Sequence, residues 1–216
     1  MMELLVKALL AYLLGSLVGS LLIRRLTGGV DIRTVGSGNA GATNAMRTMG
    51  RKVAIIVLVI DLAKGWIATR YLAPWSIPGA GGSAPWQDWS VTVCGIAVML
   101  GHVYPLWYGF RGGKGFATLV GAVLGFSALQ LLHMIVVWLV VVILTGYVGL
   151  ASIVSAAGLA VAVAASHMTP HTPLVTFAVL ATLLVAFTHR SNIQRMLAGT
   201  ESRARKIWLF GLRRGP

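Results

Sequence analysis

Residues 116–149, FATLVGAVLGFSALQLLHMIVVWLVVVILTGYVG, contain no Asp, Glu, Lys or Arg. How often this stretch crosses a bilayer decides the fold. Before it lies the loop 109–115, with Arg111 and Lys114. At the far end of the chain, after Thr188, come Arg190, Arg195, Arg203, Arg205, Lys206, Arg213 and Arg214. Basic residues mark cytoplasmic segments, so both flanks lie on the same side. An even number of crossings must then join them. Residues 150–165 and 174–188 supply two, so 116–149 crosses twice, with a turn near 127–130. As a helix, 116–126 is only roughly 16 Å long against a hydrocarbon core of about 30 Å, so one helix of the pair is short.

The remaining spans follow outward. Residues 4–23, 53–72 and 91–107 are apolar runs of membrane length. The first reads as one uncleaved span rather than a signal peptide. Residues 24–52 hold Arg24, Arg25, Arg33, Arg47, Arg51 and Lys52, whereas 73–90 and 166–173 hold no Lys or Arg. The expected fold is an all-α integral membrane protein with seven transmembrane helices, N-terminus outside and C-terminus cytoplasmic. It is one polytopic domain over 1–216, with a basic tail from about residue 189. Five spans with a re-entrant segment is the alternative. Trp75, Trp86 and Trp89 suit an outer aromatic belt, and Tyr104, Trp107 and Tyr108 an inner one. In the first span, Gly15 and Gly19 repeat one turn apart, as do Ser16 and Ser20. Such small residues let helices approach closely.

Composition agrees. The chain is 57% hydrophobic and 11% charged, with mean hydropathy +0.82. A soluble domain carries about 25% charged residues. Its 18 Lys+Arg against 5 Asp+Glu give +13. On a soluble chain that excess suggests nucleic acid; here topology and anionic lipid account for it, and no nucleic-acid partner is expected. The lone Cys94, in an apolar run, reads as an inert core residue.

Four polar stretches fall on the cytoplasmic side. The first is Gly36-Ser37-Gly38-Asn39-Ala40-Gly41-Ala42-Thr43-Asn44, with Arg47 close behind. Its Gly-x-Gly-x-x-Gly spacing imitates a dinucleotide fingerprint, but no strand precedes it. A small, Gly-rich loop can instead turn backbone N–H groups, amides and hydroxyls towards a phosphate. The second contains Gly101-His102 and Pro105, then Phe110 to Thr118 with Gly112-Gly113-Lys114-Gly115. It departs from a P-loop: Tyr108 stands where a Gly should be, and Gly115 where Ser or Thr follows the Lys. The third runs from Gly146 to Ser152, with Ser155 beyond. The fourth is His189-Arg190-Ser191-Asn192-Ile193-Gln194-Arg195, leading to Glu201. His189 and Asn192 share one helical face. His102 reads either as a packing residue or as a ligand contact. Asp61 and Lys64 lie inside the second span at ion-pair spacing, in a structural or a site-supporting role. No cluster has metal-ligand spacing, and no cofactor is expected.

Taken together these pieces resemble the bacterial acyl-phosphate:glycerol-3-phosphate acyltransferase family, PlsY. They are 36–44 with Arg47, Asp61-x-x-Lys64-Gly65, Gly101-His102-x-x-Pro105 with 110–118, and His189-x-x-Asn192-Ile193-x-Arg195. The resemblance spans essentially the whole chain, in order. It implies seven helices in the bacterial inner (cytoplasmic) membrane. It also implies transfer of a fatty acyl group from acyl phosphate to the 1-hydroxyl of glycerol 3-phosphate, giving lysophosphatidic acid and phosphate. A soluble enzyme that makes acyl phosphate is the partner it suggests, beside the lipid bilayer itself.

Two readings of the residues agree with that chemistry. The fifth residues after the five histidines are Trp107, Trp138, Thr172, Thr176 and Gln194, so the His-x4-Asp dyad of acyl-CoA-type glycerolipid acyltransferases is absent. An acyl phosphate also carries a good leaving group, so positioning and charge stabilisation supply most of the acceleration. The expected catalytic set is Ser37, Arg47, Lys114, Ser152, His189 and Asn192. The expected binding set is Gly36, Gly38, Asn39, Gly41, Thr43, Asn44, His102, Gly112, Gly113, Gly115, Thr118 and Arg195. In this scheme Arg47, Lys114 and the N–H groups of Gly112, Gly113 and Gly115 hold the two phosphates. Asn192, Ser152 and His189 orient the hydroxyl or the oxyanion, and a substrate phosphate takes the proton. A transporter for a phosphorylated solute is the competing reading; it needs a polar path to the outer face, where the sequence offers little beyond Gln87, Asp88 and two histidines.

Overall fold

Residues 4–23, expected as one span, form two helices in the computed structural model, which describes residues 1–76, 87–205 and 207–209. Helix α1 (Met2–Gly15) ends at Ser16, and α2 (Gly19–Thr27) leaves at 54° to it. A break strands the last carbonyls of one helix and the first N–H groups of the next, and lipid offers them no partner. Both sets are met from α4 (Arg51–Ile67). The Lys64 ammonium donates to the Gly15 carbonyl at 2.9 Å and to the Leu17 carbonyl at 3.2 Å. The Asp61 carboxylate accepts from the Gly19 N–H at 3.2 Å. A cation at a helix C-terminus and an anion at an N-terminus is the arrangement helix dipoles favour. The two side chains also pair at 3.0 Å, and both are buried. Their spacing foretold the pair; the break it caps has no Pro to announce it.

The break changes the meaning of the repeated glycines. A Cβ on Gly15 would overlap the Val98 carbonyl of α5 (Ser90–Val103), whereas one on Gly19 would press on Val57 of α4. The two glycines therefore serve different partners, not one helix face. Close backbone approach recurs between α4 and α6 (Phe116–Phe126), where Gly65 lies on the Thr118 carbonyl and Gly121 on the Leu62 carbonyl. The run 4–23 also hides a charge that the hydropathy reading passed over. Lys7 is 2% exposed, pairs with Glu3 at 2.8 Å and donates to the Ala73 carbonyl at 2.7 Å and to Ser90 Oγ at 3.3 Å.

Every regular element among the described residues is helical. Helix α3 (Ala42–Thr48) follows the Gly-rich loop, and a π-helical turn, Ala68–Leu72, extends α4. The helix expected to be short, Phe116–Phe126, ends at Ser127, within the expected turn. Beyond it come α7 (Ala128–Thr145), α8 (Val148–Ala164), α9 (His171–Thr188) and α10 (Arg190–Leu197). By length and apolarity, Ser90–Tyr108, α7 and α9 can each cross a membrane, and the bent α1–α2 pair makes a fourth candidate. The chain divides into two units, Met1–Ser127 and Ala128–Pro216. In the first, α1 packs on α5 and α4 on α6; in the second, α8 packs on both α7 and α9. Trp86, Lys206, Arg213 and Arg214 lie outside the described residues.

Two connections of the first unit are tied by one side chain. Arg33 Nη1 donates to the Tyr108 carbonyl at 2.7 Å and to the Arg111 carbonyl at 3.1 Å. Its Nε and Nη2 hold the Asp31 carboxylate at 3.0 and 2.8 Å. Asp31 also accepts from Arg24 at 2.8 Å. The Arg33 guanidinium brings the Asp31 pKa down from 3.8 to about 2.

Two outcomes follow from these ion pairs. Lys64→Met leaves Asp61 buried without its cation and two carbonyls uncapped. It should cost about 3–5 kcal/mol, read as a lowered Tm through reaction of the buried Cys94 thiol with a maleimide dye. Asp61→Asn combined with Lys64→Met should recover part of the loss, and an unchanged Tm in Lys64→Met would remove the capping role. The Asp31 clamp contributes stability above the unfolded pKa of 3.8 and loses it as pH falls through about 2. The Tm difference between the native chain and Asp31→Asn, followed by circular dichroism, should be constant from pH 8 to pH 5. It should then shrink towards zero near pH 2.

Candidate active site

In the first unit the Gly-rich loop is shaped by one buried amide. Asn44, 1% exposed, accepts the Ser37 N–H on Oδ1 at 2.9 Å and donates from Nδ2 to the Ile32 and Val35 carbonyls, each at 3.0 Å. Gly36 and Gly38 take φ of 61° and 70°, a region that disfavours side chains. A Cβ on Gly36 would also overlap Asn44 Oδ1. From α2, Ser20 Oγ donates to the Ala40 carbonyl at 2.8 Å. With the loop held from below, Ser37, Thr43 and Arg47 are exposed. Thr43 and Arg47, four apart on α3, share a helical face. Both ends of the Asn44 amide thus hydrogen-bond the backbone of the loop.

The second loop is held just as firmly. The Gly112 N–H donates to the Val103 carbonyl at 3.0 Å, and the Gly113 N–H to the His102 carbonyl at 3.1 Å. These two N–H groups fold the loop back on the end of α5. Both positions require glycine for space, since a Cβ would overlap the His102 carbonyl at Gly112 and His102 Nε2 at Gly113. Gly115, at φ 82°, starts α6. Lys114, between them, is partly exposed.

His102 is 3% exposed and lies beneath this loop rather than on its surface. Lys64 Nζ is 2.8 Å from its Nδ1, and Asp61 Oδ1 is 3.4 Å away. An ammonium can only donate, so Nδ1 accepts and the ring proton belongs on Nε2, the atom facing Gly113. His102 thus links the buried ion pair to the second loop. Thr118 is 0% exposed, with its hydroxyl buried among the helices.

In the second unit, the start of α8 and the α9–α10 corner come together. A Cβ on Gly149 would lie 2.9 Å from Asn192 Cβ, so glycine lets the two segments approach. Ser152, 3% exposed, donates its hydroxyl to the Val148 carbonyl at 2.9 Å. At the corner, His189 Nδ1 lies 2.8 Å from the Val185 carbonyl. A carbonyl only accepts, so Nδ1 carries a proton and Nε2 is the nitrogen that lacks one in the neutral ring. Asn192 Nδ2 donates to Glu201 Oε1 at 2.6 Å, and Arg195 Nε to Glu201 Oε2 at 2.6 Å. One carboxylate thus sets the Asn192 amide and neutralises Arg195. In the sequence Glu201 stands out only as the residue to which the fourth stretch leads. The usable signal was Gly199, whose φ of 70° turns the chain back after α10. Arg33 was likewise counted only as topological charge, although Asp31 two residues before it is the sole acid between Glu3 and Asp61.

Of the expected residues, Ser37, Asn39, Thr43, Arg47 and Lys114 lie in the first unit and Ser152, His189, Asn192 and Arg195 in the second. Among the described residues, no three His, Cys, Asp or Glu side chains converge as metal ligands.

Comparison with known proteins places this architecture. The glycerol-3-phosphate acyltransferase family model matches residues 5–199. A glycerol-3-phosphate acyltransferase of Geobacter sulfurreducens is 41% identical over 203 residues, covering 94% of this chain and 98% of that one. One of Rhizobium meliloti is 40% identical over 192 residues, covering 89% and 88%. A crystal structure of PlsY (YgiH), an integral membrane glycerol 3-phosphate acyltransferase, in its glycerol 3-phosphate form superposes with a TM-score of 0.79 at 35% identity, covering 93% of this chain and 94% of that one. Its lysophosphatidic acid form gives 0.78 at 34% identity over the same shares. With its helical membrane architecture and its motif loops in place, the chain belongs to the glycerol-3-phosphate acyltransferase family.

Proposed function

We propose that this chain transfers a fatty acyl group from acyl phosphate to the 1-hydroxyl of glycerol 3-phosphate, releasing lysophosphatidic acid and inorganic phosphate. The observation that carries the reading is the rigid Gly-rich loop: Asn44 and Ser20 hold it so that Ser37, Thr43 and Arg47 stay open to a ligand. Such a surface, with Lys114 in the same unit, suits phosphate oxygens. It offers no carboxylate that would repel them.

The chemistry balances without a protein nucleophile. The glycerol hydroxyl oxygen attacks the acyl carbonyl carbon, and the carbon–oxygen bond to phosphate breaks. The departing phosphate carries away the hydroxyl proton, so a substrate phosphate is the base. Arg47 and Lys114 bind phosphate oxygens as charged donors. Asn192, its amide set by Glu201, and His189 orient the hydroxyl or the developing oxyanion. Ser152 shapes the same segment. Asn44, Gly112, Gly113 and His102 hold loops in place, and Arg195 holds Glu201.

We further read the chain as a single polytopic domain with seven crossings of the bacterial inner membrane, N-terminus outside and C-terminus in the cytoplasm. The alternation of basic and uncharged connections and the short Phe116–Phe126 helix support this. The basic cytoplasmic face suits docking of a soluble enzyme that makes acyl phosphate.

Two measurements test the reaction. Purified protein given glycerol 3-phosphate with acyl phosphate or with acyl-CoA should form lysophosphatidic acid only from acyl phosphate. Equal turnover with acyl-CoA, or none with either, would reject the proposal. His189→Ala should lower kcat by about a hundredfold without changing the pH profile. A loss rescued at high pH would make His189 the base and displace the substrate phosphate from that role.

A further inference from the structure

Beyond the family-matched residues, the tail folds back on the end of α7. The Ala204 N–H donates to the Gly146 carbonyl at 2.8 Å and the Leu209 N–H to the Ile143 carbonyl at 2.9 Å. Trp208 Nε1 donates to the Leu144 carbonyl at 3.2 Å. Arg203 is held between two rings, 4.6 Å from the Tyr147 centroid and 4.2 Å from that of Trp208, and its Nη2 donates to Tyr147 Oη at 3.0 Å. The tail thereby walls an open cavity of about 630 Å³, lined by Tyr147, Glu201, Ser202, Arg203, Arg205 and Trp208.

The charge in this cavity is unbalanced. Glu201 is neutralised by Arg195 and accepts a hydrogen bond from Asn192. Among the described residues neither Arg203 nor Arg205 pairs with a carboxylate. One hydrogen bond to Tyr147 leaves most of the Arg203 guanidinium donors available. Two arginines with the Ser202 hydroxyl make a receptor for a phosphate oxyanion.

Position decides which phosphate. The cavity caps α7, whose mean hydropathy is 2.5 over 18 residues and which is mostly exposed on the protein surface. The end of such a helix lies where hydrocarbon gives way to head groups. Beside the arginines, Ile207 and Leu209 are 46% and 43% exposed. Basic residues interleaved with exposed aliphatic and indole side chains characterise segments lying in that interface. We propose that this tail cavity binds the phosphate of an anionic membrane lipid, through Arg203, Arg205 and Ser202. The cavity shares Glu201 with the Asn192 segment, whereas the three groups assigned to the lipid phosphate lie outside the residues assigned to the reaction.

The test uses full-length protein in detergent with equimolar phosphatidylglycerol and phosphatidylcholine, and native mass spectrometry to count retained lipid. The native chain should prefer phosphatidylglycerol. Arg205→Gln should reduce the preference about fivefold, and Arg203→Gln with Arg205→Gln should abolish it. Arg203→Lys with Arg205→Lys should largely keep it. A preference unchanged in the double Gln variant would overturn the proposal. So would equal loss in the Gln and Lys variants, which traces the effect to tail packing. Displacement of phosphatidylglycerol by millimolar glycerol 3-phosphate or inorganic phosphate would assign the cavity to a soluble phosphate instead.

Discussion

The Lys64 ammonium is the constraint on which the first unit rests. It meets the open carbonyls of a broken helix, the Asp61 carboxylate and the His102 ring at once. Burying a charge is costly unless it is paired and hydrogen-bonded. Here every partner is itself a group that would otherwise be stranded. Through His102 the same network reaches the second loop, because the His102 carbonyl and ring are what Gly113 packs against. The geometry around Lys114 is thus set from inside the helix bundle.

The first loop obeys the same logic with different chemistry. Asn44 uses both ends of one amide to close the backbone turn, and Arg33 uses one guanidinium to tie that connection to the next. Buried groups shape the loops, and a smaller exposed set, Ser37, Thr43 and Arg47, remains to meet a ligand. In the second unit Glu201 plays the shaping part for Asn192. Residues of one motif therefore divide between holding and contacting, although they stand side by side in the chain.

That division explains what the sequence could and could not reveal. The helical membrane class was legible because hydropathy and charge act over whole segments. The short helix ending at Ser127 was legible because eleven residues cannot make a long helix. The Asp61–Lys64 pair was legible because it is local. The bend after Gly15 was not, because its cause lies 49 residues away in Lys64. The hydrogen bonds of Asn44, Gly112 and Gly113 were not legible, because a motif states which residues occur and the carbonyls that accept from them lie elsewhere. Lys7 escaped notice because one charge barely moves an average over twenty residues.

The bend between α1 and α2 also bears on how the protein is made. A growing chain delivers α1 and α2 well before α4 has been synthesised. Until Lys64 and Asp61 arrive, the carbonyls of Gly15 and Leu17 and the amide of Gly19 have no protein partner. Hydrocarbon cannot stand in for them, at several kcal/mol for each unmet group. In this bent form the leading pair of helices must therefore stay near water or within the insertion machinery until α4 joins it. The bend is thus satisfied within the protein only once the Asp61–Lys64 segment of α4 is in place.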